Sequence, residues 1–301
     1  MARAFAILDV FTSRPLSGNQ LAVVLDADGL DTEAMLAITA EFNLAETVFV
    51  LPAERPAHRA RIRIFAPGRE LPFAGHPTVG TAVLLALDDA ATGGTGTDTM
   101  LVLEETVGPV RCLVSREEEG KRGHATFDVP VVAQPAGHVL DRDAIAAALG
   151  LLPSEIGFEN HVASAYTAGV PYIFVPLRDL DAMRRVLPRL DLWQHAFGDV
   201  SAYLYCRETE SNTHHFHARM FWRTLGLVED PATGSAAAAF AGVVAGFDRP
   251  MAGSHPILIE QGYEMGRPSV IRLEVDIENG ALAAARIGGD AVVVARGTLD
   301  I

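Results

Sequence analysis

Three ionisable residues of this chain stand where a proton could be moved on a small molecule. Glu46 opens an apolar strand and has Phe42, Leu44, Val48 and Phe49 around it. A carboxyl in such surroundings is expected to keep its proton to higher pH than usual, which suits proton exchange near neutrality. His76 lies between Gly75 and Pro77 at the helix entrance of APGRELPFAGHPTVGTA (66–82). The glycine lets a ligand approach the backbone, and the imidazole can donate a hydrogen bond or exchange a proton. Asp230 heads the turn of VEDPATGSAAAA (228–239), ahead of Gly234-Ser235 and a second small-residue helix. A helix start offers N–H groups without a helical acceptor and the positive end of a dipole, so a substrate carboxylate is the natural guest of either turn. Each residue also has a plainer reading. Glu46 can be a surface glutamate at a strand end, His76 a helix-entry residue, Asp230 a turn aspartate, and Thr233 or Ser235 an N-cap.

The elements around these residues read as a duplication. Arg63-Ile64-Phe65 precedes the first turn as Arg219-Met220-Phe221 precedes the second, an offset of 219 − 63 = 156. His76 is then placed opposite Gly234, at 234 − 76 = 158, a slip of two residues. Before each turn the pattern is strand-like. After it, 78–87 and 235–245 are apolar on all sides, which predicts buried helices. A helix over 31–42 has Asp31 as cap and Asn43 as stop, and 179–197 predicts one or two helices interrupted by Pro188. The C-terminal segment predicts strands separated by turns at Asn279-Gly280 and Gly288-Gly289. Residues 91–99 and 117–121 predict surface loops. The fold class is therefore α+β: two pseudo-symmetric halves, each a curved antiparallel sheet or open barrel around a buried central helix. The Pro-rich stretch near 129–137 divides them into 1–128 and 129–301, with the final strand free to return to the first half and the site in the cleft between.

Composition narrows the partners. Of 301 residues, 24 are Lys or Arg and 38 are Asp or Glu, a net charge of −14. With no basic cluster beyond Arg184-Arg185, nucleic acid and anionic membranes are not expected as partners. The longest run without a charge or turn former, 235–245, is far below the ~20 residues of a membrane span. The N-terminus meets Asp9 too early for a secretory leader, so a cytoplasmic protein is expected. Cys112 and Cys206 fit neither a disulfide scaffold nor a thiolate metal site and are expected as small buried hydrophobes. His214-His215-Phe216-His217 reads as exposed strand-end histidines, with no acidic or thiol partner at ligand spacing. No metal is expected.

Taken together, SGNQLAVVLDADGL (17–30), AEFNLAETVFV (40–50), RIFAPGRELPFAGHPTVGTA (63–82), RMFWRTLGLVEDPATGSAAAA (219–239), EQGYEMGRPS (260–269) and GGDAVVVARGTL (288–299) resemble the PhzF family of phenazine-biosynthesis-like proteins. The resemblance implies a diaminopimelate-epimerase-like fold and a homodimeric isomerase that needs no cofactor. It implies Glu46 as the proton-shuttling acid/base and Gly75, His76 and Asp230 as substrate contacts. Gly18, Asn19, Gly234 and Ser235 join them in substrate binding, the last two at its carboxylate. Related epimerases and racemases carry a cysteine at each helix start. Here Gly75-His76 and Thr233-Gly234-Ser235 stand there, which argues against a two-thiol racemase.

Three departures bear on the substrate. Ala45 stands where the phenazine enzyme has a serine, Gln20 replaces a proline, and Trp222-Arg223-Thr224 replaces a smaller residue and proline. They set the phenazine precursor in question but leave the proton chemistry in place. The leading expectation is a cofactor-independent isomerase acting on a small carboxylate-bearing substrate through Glu46. An epimerase or racemase of a small amino or hydroxy acid is the alternative within enzymes. A non-catalytic ligand-binding or interaction module is the alternative outside them.

Overall fold

The computed structural model describes residues 2–92, 97–117, 120–138, 140–223 and 226–301. The middle of the loop expected at 91–99, part of the turn at 117–121, and Thr224 lie outside them. By its internal contacts the chain divides into two units, Met1–Pro130 with Gly288–Ile301, and Val131–Ile287.

In the first unit β1 (Ala2–Val10) pairs antiparallel with β2 (Asn19–Val24). Helix α1 (Thr32–Phe42) then carries the chain to β3 (Glu46–Leu51), which lies parallel to β2. Asp31 caps α1 by accepting the Ala34 N–H at 2.8 Å, and Asn43 ends it in the left-handed conformation, φ 51°. Strand β4 (Ala60–Ala66) returns antiparallel to β3 and turns into the short β5 (Arg69–Leu71). Helix α2 (Gly75–Ala91) crosses over to β6 (Asp98–Glu105), which is parallel to β4. Antiparallel β7 (Gly108–Arg116) and β8 (Arg122–Asp128) follow. The last strand of the chain, in its residues 291–300, pairs with β1, and it also pairs with β8, so the sheet closes on itself around α2.

That closure explains the composition of α2. A parallel pair needs a crossover, and here the crossover is the helix inside the ring. Every residue from Gly75 to Ala86 is buried, so no side of the helix faces water and small or apolar residues predominate. At Gly80 a Cβ would sit 2.6 Å from Leu21 Cδ2 and 2.8 Å from Val10 Cγ2, which leaves room only for glycine.

The second unit opens with β9 (Gln134–Pro135), α3 (Arg142–Leu149), β10 (Ser164–Thr167) and β11 (Pro171–Pro176). Helices α4 (Leu180–Arg185) and α5 (Leu190–Phe197), separated at Pro188, lead to β12 (Ser201–Cys206), parallel to β11. They pack with α3 on a core that includes Trp193, Leu149 and Leu204. Strands β13 (Phe216–Arg223) and β14 (Leu227–Asp230) form a hairpin, and α6 (Gly234–Val243) crosses over to β15 (Gly253–Gln261), parallel to β13. Strand β16 (Ser269–Glu278) is antiparallel to β15, and β17 (Ala281–Asp300) ends the chain.

Each sheet is thus mainly antiparallel but holds two parallel pairs, a mixture that period-two patterning does not reveal. Asn279 and Gly280 both take positive φ, as a tight hairpin turn requires. Gly288-Gly289 is not the expected turn, because β17 runs through it without interruption. A Cβ at residue 289 would approach the Phe11 ring to 2.3 Å, so the small residue admits a close neighbour instead.

The duplication holds strand by strand. The parallel rung Ala60↔Leu103 of the first unit has its counterpart in Phe216↔Ile259 of the second, at the same offset of 156. Arg63 grips both carboxylate oxygens of Glu70 and lies 5.0 Å over Phe65; Arg219 grips Glu229 and lies 4.9 Å over Phe221. Beyond the hairpin the offset is three residues larger, 229 − 70 = 159 and, for the helix starts, 234 − 75 = 159. The slip is three residues rather than two. His76 therefore corresponds to Ser235, not to Gly234.

Candidate active site

In the first unit three element starts converge. Parallel pairing sets Leu21 of β2 opposite Glu46, which opens β3, and Asn19 opens β2. His76 is the second residue of α2 and is buried. Asn19 Nδ2 lies 3.4 Å from His76 Nδ1, and His76 Nε2 lies 3.3 Å from Glu46 Oε2. An amide nitrogen can only donate, so Nδ1 accepts, and the proton of the neutral ring is assigned to Nε2, facing Glu46. Burial pushes the imidazole down to about 3, against a backbone contact with Gln20 that favours the charged form. At neutral pH the ring is uncharged, so its contact with Glu46 is not an ion pair, and the 3.3 Å approach lacks hydrogen-bond geometry.

The start of β2 is fixed from behind. Gly18 has φ 65°, and a Cβ there would meet the Val10 carbonyl oxygen at 2.3 Å, so only glycine fits the turn into Asn19. Asp9, buried in β1, accepts the Leu16 N–H at 2.6 Å and anchors the same loop. Helix α2 has Ala74 as N-cap, with no side-chain cap, and Pro77 lies within its first turn. The backbone N–H groups of Gly75 and His76 belong to the helix end that attracts anions.

The second unit repeats the arrangement with different side chains. Thr233 is the N-cap of α6, yet its hydroxyl does not cap the helix; it donates to Asp230 Oδ2 at 2.5 Å. Ser235 Oγ lies 2.7 Å from the Tyr172 hydroxyl. Gln261, at the end of β15, reads the whole turn. Its Nε2 donates to the Asp230 carbonyl at 2.7 Å and to Thr233 Oγ1 at 3.1 Å, and its Oε1 accepts the Thr233 N–H at 3.2 Å.

The residues singled out in the sequence thus form two groups: Gly18, Asn19, Glu46, Gly75 and His76 in the first unit, and Asp230, Gly234 and Ser235 in the second. Sequence reasoning missed Asp9, Tyr172 and Gln261. Gln261 lay in the EQGYEMGRPS block without a role, whereas nothing local marked the other two. Arg223, one of the departures, bonds to the Gln194 side chain and lies 3.8 Å from Asp199, so its charge is engaged within its own unit.

The histidine cluster differs from expectation. His217 is fully buried, with Nδ1 2.7 Å from Glu260 and Nε2 3.0 Å from Glu264, and His214 Nδ1 is 2.6 Å from Glu260. Burial disfavours the charged ring of His217, but the bonds to the two glutamates outweigh it and push the imidazole up to about 9. The acidic partners are distant in sequence and reach the histidines through the parallel β13–β15 pair, so spacing could not reveal them.

Comparison with known proteins decides the family. The profile of the PhzC-PhzF family, described as phenazine biosynthesis-like protein, matches residues 8–297. The chain belongs to this family. It is 52% identical to an uncharacterised isomerase of Mesorhizobium japonicum, with 99% of each chain covered. It is 35% identical to the trans-2,3-dihydro-3-hydroxyanthranilate isomerase of Pseudomonas fluorescens, with 98% of each covered. Among solved structures, a PhzF-family protein of Bacillus anthracis superposes over 100% of both chains with a TM-score of 0.87 at 27% identity. The chain is an isomerase with the α+β epimerase-like fold of its PhzF relatives. No helix among the described residues is long and apolar enough to cross a membrane.

Proposed function

We propose that this PhzF-family isomerase moves a proton on a small carboxylate-bearing substrate without a cofactor, with Glu46 as the acid/base. The observation that carries the reading is the 3.3 Å contact between Glu46 Oε2 and the neutral, buried His76. An imidazole that takes a proton only near pH 3 can donate its N–H but is a poor base at neutrality. It packs against the glutamate and leaves proton transfer to it, which disfavours a two-base racemase that would use His76 as the second group. Glu46 takes a proton from one carbon and returns it to another, so atoms balance within the substrate. The charge that develops between the two steps is met by preorganised N–H donors at helix starts.

In this reading the helix-start N–H groups of Gly75–His76 and of Gly234–Ser235 contact the substrate, with Gly18 and Asn19 shaping the wall beside His76. The Thr233 hydroxyl and the Gln261 amide hold Asp230 in place to contact the substrate. The acidic composition fits a cytoplasmic enzyme, and family membership suggests a homodimer. The substrate named for the Pseudomonas relative, trans-2,3-dihydro-3-hydroxyanthranilate, is the first compound to test. Incubated with the enzyme in heavy water, a true substrate of the class acquires deuterium on carbon. Small cyclic amino acids form the comparison set, and carbon-bound exchange in none of them over pH 5–9 would leave only the ligand-binding module.

A further inference from the structure

The mechanism makes no use of Glu105, a buried carboxyl at the end of β6. Along β6 the buried positions are Leu101, Leu103 and Glu105, so its side chain belongs to the face that meets α2. There the Thr78 hydroxyl lies 2.8 Å from Glu105 Oε1 and 2.8 Å from the Ala74 carbonyl oxygen. A hydroxyl has one proton and cannot donate to both. The second carboxyl oxygen, Oε2, is buried and has no hydrogen-bond partner among the described residues. A carboxylate would leave that oxygen charged and dry, whereas a carboxylic acid presents it as a carbonyl.

The duplication supplies an independent observation. At the offset of 156 that relates the rungs Ala60↔Leu103 and Phe216↔Ile259, Glu105 corresponds to Gln261. Gln261 is neutral by its chemistry, and it donates to a threonine hydroxyl and a backbone carbonyl at the start of α6. In the first unit the same strand position falls to a residue that can donate to a helix-start hydroxyl only when protonated.

We propose that Glu105 is a positioning residue that works as the neutral acid: it donates its proton to Thr78, Thr78 donates to the Ala74 carbonyl, and this chain fixes the first turn of α2 with Gly75 and His76. The inference rests on the proposed function only in counting that turn as part of the site.

Burial pushes the Glu105 carboxyl up to about 8, although the Thr78 bond favours the charged form. The groups near it leave this unchanged. From α2, His76 is neutral. From β7, burial and then Glu105 and Asp128 push the Cys112 thiol up, so it stays protonated. The recess beside Glu105 is lined by Arg61 paired with Glu54, Arg63 paired with Glu70, His58 in contact with Glu104, and Arg55. Above pH 8 Glu105 ionises, Thr78 turns its proton to the carboxylate, and the Ala74 carbonyl loses its hydroxyl donor.

The test reads Glu105 directly in the full chain, with glutamate labelled by carbon-13 at the side-chain carboxyl and no substrate present. One carboxyl resonance should titrate with a midpoint near pH 8 and vanish in Glu105→Gln. Amide protection of residues 78–80 should fall through the same midpoint in the wild type. In Glu105→Gln, whose amide can donate to Thr78 at any pH, protection should hold across the range. Titration of every glutamate in the ordinary carboxylate range, or lost protection in Glu105→Gln at pH 6, would overturn the proposal. Should that variant not fold, Thr78→Val must displace the midpoint of the same wild-type resonance, and an unmoved midpoint would equally overturn it. Because no turnover is measured, failure here is distinct from failure of the isomerase reading.

Discussion

Glu260 does in the second unit what Glu104 does in the first. Glu104 accepts the backbone N–H groups of Glu54 and Arg55 and touches His58 Nδ1 at 2.7 Å. Glu260 accepts those of Glu210 and Ser211 and touches His214 Nδ1 at 2.6 Å. All four positions differ by 156, so the repeat extends from strand order to an individual carboxylate clamp. The copies differ in one neighbour: Glu260 also holds the buried ring of His217.

That difference predicts unequal consequences for equal substitutions. Glu260→Ala should destabilise by about 3–5 kcal/mol, because it leaves a buried charged histidine with Glu264 as its remaining carboxylate. Glu104→Ala, at a partly exposed site, should cost clearly less. Urea unfolding of both variants at pH 7 measures the contrast, and equal losses would show that His217 is not the charged partner described here.

The same histidine sets a pH dependence. Its folded-state value, about 9, lies above its ordinary value of 6.5, so the stability it contributes is fully present below 6.5 and is lost as pH rises to about 9. The difference in unfolding free energy between wild type and His217→Gln should shrink by about 3 kcal/mol across that window. A difference constant from pH 6 to pH 9.5 would mean that the ring is neutral in the folded protein.

His76 should behave in the opposite sense. Its folded value, about 3, lies below 6.5, so its contribution is present above 6.5 and is lost as pH falls towards 3. Nitrogen-15 spectra of the imidazole should show one neutral tautomer, protonated at Nε2, from pH 8 down to pH 4. Titration between pH 6 and 7 would remove the distinction drawn between His76 as donor and Glu46 as base.

Substrate choice is the subject of a fourth expectation. Ala45, half-buried beside Glu46, offers a methyl group where the phenazine enzyme has a serine hydroxyl. A substrate group needing that bond would lose roughly 1–3 kcal/mol if left unpaired. Turnover of trans-2,3-dihydro-3-hydroxyanthranilate should therefore be poor in the wild type and better in Ala45→Ser. Efficient wild-type turnover with no gain from the hydroxyl would show that residue 45 does not discriminate.

Much of this was legible in the sequence because the informative features are local. Helices apolar on every side can only be buried, Asp31 and Asn43 delimit α1 by their chemistry, and Asn279-Gly280 admits little but a turn. Features that depend on a crossover were not legible. The parallel β13–β15 pair joins His217 to Glu260, and the β6–α2 packing joins Glu105 to Thr78, across separations that no periodicity encodes. Gly288-Gly289 misled because a close neighbour, Phe11, selects glycine as strongly as a turn does. The repeat was found but mis-set by one residue at the helix starts, since the extra residues lie in the β13–β14 hairpin.

The central claim is that Glu46 moves the proton while the surrounding groups bind and orient. Its most direct test compares wild type with Glu46→Gln in heavy water, on whichever compound of the comparison set exchanges, with affinity measured alongside by calorimetry. Carbon-bound deuterium should appear with the wild type and be abolished in Glu46→Gln, with affinity changed by less than about tenfold, since the amide keeps the shape but not the basicity of the carboxylate. Undiminished deuterium incorporation by Glu46→Gln would contradict the account and move the base elsewhere.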